Sequence, residues 1–237
     1  MKRWLLLCLF VLCGPALAAT TPPAAAIATT HPLATDAGHE ILAAGGNAFD
    51  AAVAITATLA VVEPTGSGLG GGGFWLLHRA KNGYQTMLDG RERAPLAAHR
   101  DMYLDAQGEV IPGLSMDGPL AAGIPGVPAG LAHLAQHYGI LPLRKSLGPA
   151  IRHARNGFTI SESYRRMAQF RLEALRKSSA AASIFLHEND LPSVAHLLKQ
   201  PDLADTLEAI AKQGAAGFYS GPVADKLIKG VRGAGGI

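Results

Sequence analysis

Arg91 is the side chain whose type and setting most suggest chemistry. It lies in Asp89-Gly90-Arg91-Glu92-Arg93-Ala94-Pro95, directly after a run that reads as a strand. A planar guanidinium at a strand end can hold a carboxylate through two parallel hydrogen bonds. Alternatively, Arg91 or Arg93 pairs with Asp89 or Glu92 and merely orders the loop; residue types leave both readings open. Upstream, Glu63 to Phe74 carries six glycines in twelve residues, and Gly66, Gly68 and Gly71 spell G-x-G-x-x-G. So much glycine makes positive φ available at several positions and implies close backbone packing or close approach of a ligand. A dinucleotide fingerprint, however, follows a strand and opens a helix. Here a helical pattern precedes the glycines and a strand follows, which argues against nucleotide binding even with Asp89 near the spacing of a ribose-binding acid.

The other candidates are weaker. His39-Glu40 begins like a zinc-protease motif, but Ala43 stands where the second histidine is required. His133 and His137 are four apart on an expected helix, yet with no third ligand nearby a solvated helix face is the plainer reading. No metal site is expected. Ser67 lacks the flanking glycines of a nucleophile elbow, and there is no Walker sequence. Thr20 would become an amino-terminal nucleophile if a leader were cut after Ala19. The site Ala16-Leu17-Ala18 is a better cut, and Thr21-Pro22-Pro23 gives no sign of a structured site.

The elements that must position Arg91 are legible. Residues 1–18 read as a signal peptide: Lys2 and Arg3, the apolar run Trp4 to Leu12, then Ala16-Leu17-Ala18. The run is too short for a stable membrane anchor. Cys8 and Cys13 leave with it, so the mature chain has no disulfide or thiolate chemistry. Loss of Lys2 and Arg3 takes the formal charge from +3 to +1, and no basic cluster with interleaved aromatics supports nucleic-acid binding. The expected product is exported, periplasmic or secreted. Residues 19–27 form a Pro/Ala-rich leader and 28–237 a single region. With 49% hydrophobic residues in 237, that region can bury a sizeable core.

Helices are expected over 32–44 and, from an Asn47/Asp50 capping pair, to about 62. The second is apolar nearly all round and so buried. Strands over 74–79 and 84–89 flank Asn82-Gly83, a hairpin signal. A Gly/Pro-rich segment covers 112–128, and helices are expected over 127–138, 143–156, 161–177, 203–213 and 222–231.

Several ordered segments resemble the γ-glutamyltransferases (γ-glutamyl transpeptidases, glutathione hydrolases). They are His31-Pro32-Leu33-Ala34, Gly45 to Ala54, Val62 to Phe74, Asp89 to Pro95, Gly123 to Gly130, Pro149-Ala150-Ile151 with Gly157-Phe158, Leu203 to Leu207 and Phe218 to Gly221. The resemblance runs from about Ala28 to the last residue. It implies an α/β (α+β) fold: the αββα sandwich of an N-terminal nucleophile hydrolase, with only the large-subunit part present. It further implies a precursor that cleaves itself into large and small subunits. The new amino-terminal threonine attacks a γ-glutamyl amide such as that of glutathione, using its own α-amine as base. Water, an amino acid or a peptide then takes the acyl group. No cofactor is implied.

By position, Arg91 matches the family's arginine for the donor's α-carboxylate, with Asp89 and Glu92 assigned to loop positioning. Gly90 stands where some members carry an aromatic residue. The nucleophile is expected beyond residue 237, on a small subunit that would be this chain's partner, so no catalytic residue is assigned here and the fragment alone is expected to be inactive. The alternatives are a glutaryl or β-lactam side-chain acylase of the same superfamily, or a non-catalytic exported binding protein.

Overall fold

The computed structural model describes residues 25–237. The expected signal peptide, Cys8, Cys13, Thr20 and most of the leader lie outside the described residues. His31 opens helix α1 (Pro32–Ala43): its Nδ1 accepts the Leu33 N–H at 3.2 Å, and Pro32 occupies the first turn, where no amide partner is missed. Gly45, at φ +88°, then turns the chain. Helix α2 (Ala48–Val62) begins with a complete capping box. Asn47 Oδ1 accepts from Phe49 and Asp50 N–H, and Asp50 Oδ2 accepts from Asn47 N–H at 2.9 Å. Asp50 is fully buried, and its carboxylate also takes the Ile140 and Leu141 amides, pinning a distant loop to the start of α2. Buried Ala51, Val53, Ala54, Ala57, Ala60 and Val61 make α2 the centre of the core.

After the glycine stretch, β1 (Gly73–Arg79) and β2 (Tyr84–Gly90) form an antiparallel hairpin in the register Gly73↔Gly90 to Arg79↔Tyr84. Gly83 supplies the left-handed turn residue at φ +66°. Alternation gives the hairpin two unlike faces: Trp75, Leu77 and Leu88 turn to the core, while Phe74, Leu76 and Met87 are 54%, 84% and 59% exposed.

The irregular stretch after β2 ends at α3 (Val127–His137). The expected helix over 143–156 is in fact two, α4 (Leu143–Ser146) and α5 (Gly148–Asn156). Pro149 explains the break, since inside one helix its ring would meet the carbonyl four residues earlier. The expected helix over 161–177 is likewise two, α6 (Glu162–Gln169) and α7 (Leu172–Lys177). At that junction Phe170 and Arg171 N–H tighten to residues three back. A short strand β3 (Phe158–Thr159) precedes α6 and pairs antiparallel with β4 (Leu197–Leu198). Helix α8 (Ser179–Phe185) was not expected from the sequence, although Ser178 caps it through the Ala181 N–H.

The chain closes with α9 (Pro201–Gln213), α10 (Ala216–Tyr219) and α11 (Gly221–Gly233). Helix α2 packs on α1, α3 and α5, and α5 packs on α9. Among the described residues no helix is long and apolar enough to cross a membrane.

The first turn of α1 gives the fold a pH dependence. Burial, then the charge of neighbouring His153, hold the His31 pKa below its ordinary 6.5, with Glu63 opposing. His153 is lowered for the same leading reason, burial, followed by Arg152. The unfolded chain therefore binds more protons on these rings. Their contribution to stability is complete above pH 6.5 and is lost as pH falls from there through the lower folded values. Protonation would also cost Nδ1 its role as cap acceptor. The urea midpoint of the full-length protein should fall between pH 7.5 and pH 5. His31→Asn, which keeps a cap acceptor that does not titrate, should shrink the fall; an undiminished fall would remove His31 as its cause.

Candidate functional site

The glycine stretch runs from the C-terminus of α2 to the first residue of β1, the reverse of the order a phosphate cradle needs. Its start is tied by Glu63, whose carbonyl accepts the Gly66 and Ser67 amides and whose carboxylate accepts the Ser67 hydroxyl at 2.8 Å. Leu69 is buried and anchors the middle. The left-handed backbone that glycine permits is not used here: none of the stretch's six glycines has positive φ. At Gly72 the requirement is space, whereas a Cβ on Gly70 would meet nothing within 4 Å. A Cβ on Gly72 would lie 2.8 Å from Arg91 Cα and from Glu92 N, so the stretch lies directly against the backbone of the candidate site.

That backbone is held from the other side by residues 123–127. Arg93 and Ile124 exchange both amide hydrogen bonds, at 3.1 and 2.7 Å. A Cβ on Gly126 would stand 1.9 Å from the Gly90 carbonyl oxygen. The indole of Trp75 fills the space beneath, where Cβ atoms on Gly90 or Gly130 would each come within 2.5 Å of its ring, and Nε1 donates to Thr56 Oγ1 at 3.3 Å. Gly90 therefore has no room for an aromatic side chain beside Trp75.

Alternation along 91–93 sends side chains to opposite sides. Glu92 joins Trp75 and the glycines around a cleft of about 580 Å³. Arg91 and Arg93 both line a different cleft, of about 360 Å³, with Asp89, Ile124, His133 and Tyr219. The simpler alternative for the arginines, an ion pair with Asp89 or Glu92, is not what the loop contains. Among the described residues neither guanidinium forms a salt bridge. Asp89 Oδ1 instead accepts the Arg91 backbone N–H at 2.9 Å, closing a tight turn that orients Arg91.

Tyr219 is the residue that sequence reading did not single out. Its hydroxyl donates to the Pro125 carbonyl at 2.6 Å and accepts the Ala129 N–H at 3.2 Å, clamping α10 to the start of α3. Burial raises its pKa, with the Ala129 amide opposing. The only signal for it was the segment Phe218-Tyr219-Ser220-Gly221, about ninety residues from the loop it serves. His133 and His137 stack at 4.0 Å, with His137 Nδ1 turned to the His133 carbonyl at 3.0 Å. Among the described residues no three His, Cys, Asp or Glu side chains are grouped to hold a metal ion. His39 is exposed on α1, and Glu40 pairs with Arg152.

The described residues are helix-rich with two small two-stranded antiparallel sheets, and the solved structures that the chain resembles place this α/β fold among the N-terminal nucleophile hydrolases. The sequence model of the family described as Gamma-glutamyltranspeptidase matches residues 34–237, and the chain belongs to that family. It is 41% identical over 212 residues to the glutathione hydrolase proenzyme of Pseudomonas sp. (strain A14), covering 89% of this chain and 37% of that protein. The crystal structure of Helicobacter pylori gamma-glutamyltranspeptidase superposes with a TM-score of 0.86 at 44% identity, covering 89% of this chain and 60% of the other. The gamma-glutamyltranspeptidase from Pseudomonas nitroreducens, solved in complex with L-DON, gives a TM-score of 0.83 at 39% identity, covering 90% and 62%. The chain thus spans little more than a third of the curated relative's length.

Proposed function

We propose that this chain is the large-subunit region of an exported γ-glutamyltransferase/glutathione hydrolase precursor, and that Arg91 holds the α-carboxylate of the γ-glutamyl donor. The division is residues 1–18 as signal peptide, 19–27 as leader and 28–237 as large-subunit region. The nucleophilic threonine belongs to the length of the relatives that this chain does not span. Self-cleavage would free its α-amine to act as base. The donor's γ-carbonyl then forms an ester with the threonine hydroxyl and releases its amine, and water, an amino acid or a peptide takes the acyl group. Residues 25–237 perform none of these bond changes. Their part is to place the donor, which sets how often its γ-carbonyl meets the nucleophile.

The observation that carries this reading is Arg91. Arg91 lines a cleft, its backbone is fixed by Asp89 and by contact with Gly72, and no salt bridge within the described residues occupies its side chain. Asp89 and Glu92 support the loop rather than the ligand. The full-length protein should release p-nitroaniline from γ-glutamyl-p-nitroanilide and much less from glutaryl-p-nitroanilide, which lacks the α-amine. Preference for the glutaryl compound would favour the acylase reading, and no turnover of either would favour a binding protein.

A further inference from the structure

We infer that the Arg91 cleft is a two-arginine site in which Arg93 selects donors carrying a second carboxylate, namely γ-glutamyl peptides with a free C-terminus. The inference rests on the proposed donor role of Arg91 and extends it. Three observations lead to it. First, Arg91 and Arg93 line the same cleft while Glu92, between them, lines the other, as period-two alternation requires. Second, neither arginine forms a salt bridge among the described residues, and the one carboxylate beside them, Asp89, has Oδ1 engaged by the Arg91 amide.

Third, the start of α3, which forms one wall, offers no amides of its own. The Gly126 and Val127 amides go to the Gly71 carbonyl, Pro128 has none, Ala129 goes to Tyr219 and Gly130 to the Gly126 carbonyl. The usual backbone anion site at a helix N-terminus is thus fully occupied, and carboxylate binding in this cleft falls to the guanidiniums. Two arginines against Asp89 leave the cleft a formal surplus of one positive charge, which a γ-glutamyl peptide with a free C-terminus, bearing two carboxylates and one α-ammonium, balances. Arg93 is held by main-chain bonds to Ile124, so changing its side chain leaves the loop's pairing in place.

The test is the full-length protein with glutathione and its C-terminal amide as donors. Arg93→Gln should raise KM for glutathione about tenfold, the loss of one charge-assisted interaction, and change KM for the amide less than about twofold. Arg93→Lys should recover part of the loss, and kcat should stay within about twofold for either donor. Equal effects on acid and amide, or none, would overturn the inference while leaving Arg91 untouched. Arg91→Gln should raise KM for both donors; if it raises neither, the donor reading itself fails, whatever Arg93 does. A thermal midpoint matching wild type shows that Arg93→Gln is folded, and Arg93→Met provides a second neutral variant.

Discussion

Arg91→Ala in the full-length protein is expected to raise KM for γ-glutamyl donors by about 30- to 150-fold, with self-cleavage intact. A guanidinium that meets a carboxylate with two hydrogen bonds loses about 2–3 kcal/mol when truncated, at 1.4 kcal/mol per tenfold. Two such bonds are worth less than twice one here, because Arg91 is solvent-exposed and water screens it. Arg91→Lys should recover little, since an ammonium is a point charge without the planar fork. Self-cleavage is the necessary second readout. Nothing in the α-carboxylate role touches the precursor's scissile bond, so a variant that fails to cleave has lost its fold rather than its grip. Unchanged donor KM in a cleaved, folded variant would remove Arg91 from substrate binding.

Gly126→Ala should be among the most destabilising single-methyl changes in the chain, at about 3 kcal/mol or more. The added Cβ would meet the Gly90 oxygen at 1.9 Å, its carbon at 2.6 Å and the Arg91 oxygen at 2.9 Å. These are backbone atoms at the end of a paired strand, so no rotamer change relieves the overlap and the two segments must part. Conformation is not the obstacle, because Gly126 has φ −109° and ψ −23°, open to any residue. Parting 123–127 from 90–93 would also strain the Arg93–Ile124 pairing, so donor KM should rise together with the loss of stability. Gly230→Ala is the control: it lies within α11 with nothing within 4 Å of the new methyl, and should be neutral or stabilising by up to about 1 kcal/mol. Urea midpoints of the two variants in the full-length protein decide the matter, and a Gly126→Ala no worse than Gly230→Ala would refute the packing argument.

Local signals set much of the fold because local physics decides them. The Asn47/Asp50 capping box starts α2, Gly45 ends the turn after α1, and Gly83 reverses the hairpin, each through bonds or dihedrals spanning a few residues. Where a long helix was expected and two formed, the deciding event at Leu147–Pro149 is still local, the proline ring that cannot sit inside one helix. At Phe170–Arg171 no breaker residue marks the junction, and the chain tightens there through bonds to residues three back.

By itself the sequence determined that a glycine stretch joins a buried helix to a strand, and that an arginine follows the hairpin. It also carried the family's ordered motifs. Tertiary structure decided what those features are for. The glycines have no left-handed residue among them, and Gly72 is required because it lies against Arg91 and Glu92, a contact between segments some twenty residues apart. Arg91 and Arg93 were separated from Glu92 by the alternation of a backbone that Ile124 holds extended. Tyr219 entered the site from α10, about ninety residues beyond the carbonyl and amide it clamps. Spacing along a chain fixes bonds within a turn or a strand pair, but which side chains share a cleft depends on how separate elements pack, and packing is settled only when the whole core closes.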